Sequence, residues 1–130
     1  MSNARVRVRK HPHDPAEVER LIEETKDAVG DATDIIEQAE KAMDEKKREY
    51  DRAYAKALLC APGPQYQRAA HATLQADPEK EAYDIAKLAF HHAQREAGSL
   101  EKELFAWQSI LNSVRSMWNA TGNGTSGRYG

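Results

Sequence analysis

The stretch that decides the fold is residues 78–120, PEKEAYDIAKLAFHHAQREAGSLEKELFAWQSILNSVRSMWNA. Its apolar residues recur at alternating steps of four and three, which is the spacing of one face of an α-helix. This seam consists of Ala86, Phe90, Ala93, Ala97, Leu100, Leu104, Trp107, Leu111, Val114 and Trp118. Proline occurs only at its start, and Gly98 weakens the middle by about 1 kcal/mol relative to alanine. The spacing therefore predicts one long helix over 78–120.

A second long helix is predicted upstream, over residues 14–60. Asp14-Pro15 marks its start, because aspartate favours the N-cap position and proline the first helical position. No further proline occurs before Pro62, where Ala61-Pro62-Gly63-Pro64 cannot continue a helix. The helix carries a thin, alanine-rich stripe at helical spacing, made of Val18, Leu21, Thr25, Ala28, Ala32, Ile35, Ala39, Ala42, Lys46, Tyr50, Ala53 and Ala57.

The connection between the two helices, residues 61–77, is short, so the helices must lie antiparallel. Residues 65–76 form either a short third helix or a helical lead-in to the second long helix, and we favour the short helix. Asp77-Pro78 repeats the start signal of the first helix. The predicted fold class is all-α, a long coiled-coil-like antiparallel hairpin of helices 14–60 and 78–120 with a short third helix at the connection.

One seam rich in alanine buries few large side chains. Its free energy of burial, about 1.5–3 kcal/mol for each large residue, does not offset about 1–2 kcal/mol of backbone entropy for every ordered residue. We therefore expect the chain to associate with itself, as a dimer or higher oligomer that completes a helical bundle.

The two ends of the chain are predicted to lie outside the hairpin. Residues 1–13 form a basic, flexible arm, and residues 121–130, rich in Gly, Ser, Thr and Asn, form a disordered tail. No apolar run follows the first charges, so no signal peptide is expected, and no stretch is apolar enough to span a membrane. These features predict a cytoplasmic protein without a membrane partner.

Charge is arranged in blocks along the chain. Residues 14–45 hold twelve acidic residues against three basic ones, whereas residues 46–60 hold five basic residues against two acidic ones. The acidic block is either the solvated face of an amphipathic helix or, as a function, a mimic of a phosphate backbone that inhibits a DNA-binding protein. The solvated face is the favoured interpretation.

The arm has the most unusual local pattern, in which basic residues alternate with valine at Val6 and Val8. As an extended strand it would place its charges on one side, where they could contact nucleic-acid phosphates. It could also add as a strand to a partner's sheet, or simply be a disordered terminus. The candidate nucleic-acid contacts are Arg5, Arg7, Arg9 and Lys10.

No catalytic, cofactor or metal site is predicted. Cys60 stands alone, which excludes a disulfide framework and a cysteine-based zinc site. His92 and Glu96 have a spacing of four, but no matching pair recurs on a facing helix as a metal site in a bundle requires. We therefore predict a protein that is not an enzyme and acts by binding.

The second long helix offers the predicted partner or oligomer interface, because its C-terminal part is apolar on more than one side. The interface residues are Leu100, Leu104, Trp107, Leu111, Val114 and Trp118. The seam also predicts core packing for the two tryptophans.

Residues 50–118 resemble small helical proteins encoded in the early replication and recombination region of actinobacterial tailed phages and prophages. The resemblance lies in Glu81-Ala82-Tyr83-Asp84-Ile85-Ala86-Lys87-Leu88-Ala89-Phe90, Leu100-Glu101-Lys102-Glu103-Leu104, Trp107-Gln108-Ser109 and Ser113-Val114-Arg115-Ser116-Met117. It implies a phage-type accessory protein in the host cytoplasm that binds a host or phage protein. The alternative that it implies is a nucleic-acid-associated accessory of recombination or replication.

Overall fold

The computed structural model describes residues 14–121, which fold into three α-helices without a strand. Helix α1 spans Pro15–Cys60, α2 spans Gln65–Gln75 and α3 spans Asp77–Thr121. The predicted all-α class and the short third helix are confirmed. The basic arm, residues 1–13, and the tail from residue 122 lie outside the described residues.

The start of α1 is capped by Asp14, as Asp14-Pro15 predicts. The Asp14 carboxylate Oδ1 accepts a hydrogen bond of 3.1 Å from the Ala16 amide, and the Asp14 carbonyl accepts one of 3.1 Å from the Val18 amide. These bonds satisfy amide donors that a helix N-terminus otherwise leaves free. Glu17 in the first turn pairs with Arg20, whose Nη2 lies 2.8 Å from Glu17 Oε1.

Helix α1 ends at Cys60, directly before the turn that contains Pro62, Gly63 and Pro64. Gly63 has φ +90°, a left-handed conformation that strains any residue with a Cβ. The Pro64 carbonyl then accepts hydrogen bonds from the amides of Gln67 and Arg68, at 3.0 and 3.2 Å, which begins α2. The turn residues therefore stop one helix and start the next within four positions.

A single residue, Ala76, separates α2 from α3. Its amide donates to the Ala72 carbonyl at 2.9 Å, and its carbonyl accepts from the Lys80 amide at 3.0 Å. Because Ala76 supplies the first carbonyl of α3, that helix begins at Asp77, one residue before the predicted start. Pro78 follows in the first turn, where its missing N–H leaves no hydrogen bond unmade.

The contacts divide the chain into two units. Within the described residues, unit 1 combines residues 14–31 of α1 with residues 98–121 of α3. Its buried cluster consists of large side chains from both helices: Val18, Leu21, Ile22, Trp107 and Leu111. Leu104 and Ile110 pack against this cluster. Thr25 is also buried, and its hydroxyl donates to the Leu21 carbonyl at 2.8 Å, so its polar group is satisfied.

Unit 2 covers residues 32–97, which include the rest of α1, all of α2 and the first part of α3. Every buried residue of this unit is an alanine, namely Ala32, Ala61, Ala72, Ala76, Ala93 and Ala97. Larger side chains on these helices are half-buried or exposed. Unit 2 therefore packs by close approach of small residues rather than by burial of large ones.

Candidate interaction surfaces

The interface predicted on α3 is largely in contact with α1 of the same chain. Trp107 and Leu111 are only 5% and 9% exposed, because they pack in the cluster of unit 1. Leu104 packs against the cluster, and Leu100 and Val114 are half-buried. Trp118, at the end of the seam, is 52% exposed. Helix α1 thus already covers the centre of the predicted surface.

One ion pair joins α1 to α3 in unit 1. Arg115 Nη2 on α3 donates to Glu19 Oε2 on α1, and both side chains are about half exposed. The other ion pairs that the structure shows between residues 14 and 121 connect residues three or four positions apart in one helix. The Glu19–Arg115 pair therefore lies between the two helices beside the buried cluster.

A tyrosine cluster connects α1 and α3 in unit 2. The rings of Tyr50 and Tyr83 stack with centroids 6.5 Å apart and planes 9° apart, and Tyr54 lies 6.2 Å from Tyr50. Lys87 Nζ lies 4.9 Å from the centroid of the Tyr83 ring, within the range of a cation–π contact. This cluster is half-buried and supplies aromatic contact where the buried residues are alanines.

Two lysines beside the tyrosine cluster form ion pairs with aspartates of their own helices. Lys80 Nζ donates to Asp84 Oδ1 at 2.9 Å, and this hydrogen bond raises the pKa of Lys80 above its ordinary value. Lys47 Nζ donates to Asp51 Oδ2 at 3.0 Å, which raises the pKa of Lys47 in the same way. Both lysines therefore stay charged, but their charge is already paired.

Large apolar side chains of unit 2 are exposed at the end of α1 and along α2. Leu59 is 84% exposed at the end of α1, and Tyr66 and Leu74 on α2 are each 76% exposed. Tyr66, Ala70 and Leu74 are spaced four residues apart, so they share one face of α2. Ile35, Ile85 and Leu88 of unit 2 are also more than half exposed. Sequence reasoning missed this surface, although the helical spacing of Tyr66 and Leu74 was visible.

The polar features of residues 14–121 include a free thiol, a buried carboxylate oxygen and an open depression. Between residues 14 and 121, no group of three or more His, Cys, Asp or Glu side chains could hold a metal ion. Cys60 is exposed and carries a free thiol. Glu79 Oε1 is buried and has no hydrogen-bond partner in the described structure. A shallow open depression of about 220 Å³ on α1 is lined by Asp34, Glu37, Gln38 and Lys41.

Over residues 14–121, no helix has both the length and the apolar composition that crossing a lipid bilayer requires. The candidate nucleic-acid contacts Arg5, Arg7, Arg9 and Lys10 lie outside the described residues. Comparison with family models, curated proteins and solved structures found no significant match to the chain.

Proposed function

We propose that the protein is a non-enzymatic interaction protein and that unit 2 carries its binding surface. One observation supports the proposal most directly. The small residues of this unit are buried and large apolar ones are exposed: its buried residues are alanines, while Leu59, Tyr66 and Leu74 are each more than three-quarters exposed. Apolar surface gains about 25 cal/mol for each Å² removed from water. A neighbouring molecule that covered these side chains would gain this free energy.

The binding surface in this proposal differs from the sequence-predicted one. Trp107 and Leu111 are occupied by contacts with α1, so a partner could reach them only by displacing that helix. A partner could reach Leu59, Tyr66 and Leu74 without any such rearrangement. The proposal includes the antiparallel hairpin and its association into a bundle, because these bring apolar faces of several helices together. The cytoplasmic location and the phage context stay predictions.

A second candidate function is nucleic-acid contact, and one observation favours it. Arg48, Arg52 and Lys56 are exposed on α1 at spacings of four, so three cationic groups share one face. The neighbouring Lys46 and Lys47, in contrast, pair with Glu49 and Asp51. Phosphate contact depends on cations, and among residues 14–121 these three have no ion-pair partner. The third candidate, an acidic mimic of DNA, rests on the acidic block of α1 alone.

The proposed function is tested by a triple variant, Leu59→Ser, Tyr66→Ser and Leu74→Ser. We expect the wild-type chain to show a mass above 14.6 kDa by light scattering, and the variant to approach 14.6 kDa with unchanged helical circular dichroism. Phe105→Ser is the matched control, because Phe105 is 71% exposed but belongs to unit 1.

The same variants separate self-association from binding to another protein. Where the wild-type chain is a monomer, the triple variant should lose the proteins that wild-type chain retains from a lysate of the natural host, and Phe105→Ser should keep them. Equal retention by the wild-type chain and the triple variant, together with a wild-type monomer, would contradict the proposed function.

A further inference from the structure

The solvent face of α1 in unit 2 carries a continuous charged stripe. Apart from the adjacent pair Asp44 and Glu45, its members recur at steps of three and four, and all are exposed: Asp34, Glu37, Lys41, Asp44, Glu45, Arg48, Arg52 and Lys56. This spacing places them on one face of the helix. They lie opposite the half-buried positions of the same helix, which include Ile36, Met43, Tyr50 and Ala57. The stripe is therefore a surface that unit 2 does not use in its own packing.

Charge along this stripe is segregated by sign. The stripe members of the first part are the four acids Asp34, Glu37, Asp44 and Glu45 together with Lys41, for a net charge of −3. The second part, from Arg48 to Lys56, has three cations and no acid on the stripe, for a net charge of +3. A reversed copy of the stripe therefore brings the basic part against the acidic part over residues 34–52.

Within residues 14–121, the stripe charges are left without ion-pair partners. Between residues 14 and 121, the structure shows none of the eight in an ion pair, although Glu37 and Lys41 have the spacing of four that favours one. Lys46 and Lys47, on the flank of the same helix, do pair with nearby acids. The acidic part also contains the depression lined by Asp34, Glu37 and Lys41, which leaves room for an incoming side chain.

We propose that a second copy of this chain packs antiparallel across the stripe. In this arrangement Asp34 faces Arg52 of the second copy, Glu37 faces Arg48 and Lys41 faces Glu45. A two-fold axis makes each of these contacts occur twice, because the same surface is used on both copies. A parallel arrangement would instead place like charges opposite each other.

This inference rests on the proposed function, because charge pairs alone bind weakly. Exposed ion pairs contribute little affinity, whereas charge complementarity determines orientation and excludes wrong registers. The affinity would come from apolar side chains of unit 2 that the second copy covers. Leu59 continues the stripe three positions after Lys56 and is 84% exposed, and in this register it lies against α1 of the second copy near residue 27.

The test exchanges charges between two variants of the full chain. One variant carries Asp34→Arg and Glu37→Arg, and the other carries Arg48→Glu and Arg52→Glu. Each alone places like charges at four contacts of the dimer, so we expect its dissociation constant in sedimentation experiments to rise about 100-fold. An equimolar mixture restores opposite charges at all four contacts and should form a heterodimer with wild-type affinity.

The chain with all four substitutions is the matched control, because its net charge remains that of the wild type. It should regain the homodimer, and circular dichroism should show the same helical content in all variants. In the wild type, raising the salt from about 0.1 M to about 1 M shortens the screening length from about 10 Å to about 3 Å and should weaken the dimer.

Three results would overturn this inference. The first is a wild-type chain that remains a monomer at every concentration. The second is a pair of charge variants that dimerise like the wild type while the Leu59, Tyr66 and Leu74 variant does not, which would leave the proposed function standing. The third is a dimer that is unaffected by Arg48→Glu and Arg52→Glu while these changes abolish a low-salt gel shift with a DNA oligonucleotide, which would assign the cations to nucleic acid.

Discussion

The two units of the chain bury opposite kinds of side chain. In unit 1, Trp107 and Leu111 of α3 pack against Val18, Leu21 and Ile22 of α1. In unit 2, the buried residues are alanines, and leucines and tyrosines on the same helices are exposed. Helical spacing thus predicts which face packs, but side-chain size along that face determines what the packing contributes to stability.

This difference supports the proposal that the two units have different roles. Large buried side chains contribute about 1.5–3 kcal/mol each, so unit 1 stabilises its own helix contact. Alanines allow helices to approach closely but remove less surface from water. Unit 2 therefore leaves large apolar side chains exposed, among them Leu59, Tyr66 and Leu74, and the proposed binding surface lies there.

The largest expected effect comes from breaking the core of unit 1. Trp107→Ala should lower the free energy of unfolding by about 3–5 kcal/mol, because it removes the largest side chain of the cluster and leaves a cavity. Phe105→Ala, two residues away on the exposed face, should change it by less than about 0.5 kcal/mol. Urea unfolding followed by circular dichroism measures both. Equal losses would show that Trp107 does not anchor this unit.

A second variant tests the alanine packing of unit 2. Ala72 is fully buried, so Ala72→Leu should cost about 1–3 kcal/mol through overpacking. Leu74→Ala, on the exposed face of the same helix, should cost less than about 0.5 kcal/mol when association is held constant. Urea unfolding at one fixed protein concentration compares them. If Leu74→Ala lowered the free energy of unfolding more than Ala72→Leu, the exposed leucine rather than the buried alanine would stabilise unit 2.

The smallest effect is expected from the ion pair of unit 1. Both Glu19 and Arg115 are about half exposed, so solvent screening limits their coupling to at most about 1 kcal/mol. A double-mutant cycle with Glu19→Gln and Arg115→Gln measures this coupling, which should fade in high salt. A coupling that persists in high salt would mean that the pair is shielded from solvent.

Helix boundaries were predictable because the residues that stop and start helices are local signals. Asp14-Pro15 and the Pro62-Gly63-Pro64 turn act through a cap, a missing N–H and a left-handed φ, none of which depends on distant parts of the chain. The start of α3 was predicted one residue late, because the cap carbonyl belongs to Ala76 rather than Asp77.

The facing positions of α1 were predicted with one error of register. The sequence stripe included Ile35 and Ala42, but both are exposed, and Ile36 and Met43 face inwards instead. An α-helix has 3.6 residues per turn, so strict alternation of three and four drifts by about 20° every seven residues. An extra step of four corrects the drift. The structure places it between Ala32 and Ile36, whereas the sequence pattern placed it near Tyr50.

The residues beside the seam of α3 show a second limit of sequence reasoning. Ile85, Phe105, Ile110 and Met117 adjoin the seam and make α3 apolar on more than one side, but only Ile110 packs against the cluster, and the other three are more than 60% exposed. Periodicity identifies the centre of a face well. It does not show how wide the opposing helix is, and the width decides which flanking residues are covered. The antiparallel hairpin and the oligomer remain predictions.

Only one residue, Ala76, joins α2 to α3. An insertion or deletion there therefore has a different effect from one in a surface loop. An ordinary surface loop accepts a change of length at small entropic cost. At Ala76, one added residue would rotate α2 about its axis by about 100° relative to the start of α3. The face with Tyr66 and Leu74 would then point in a different direction, while every residue on it stayed the same. Changes of length at this position would therefore redirect the surface without altering its composition.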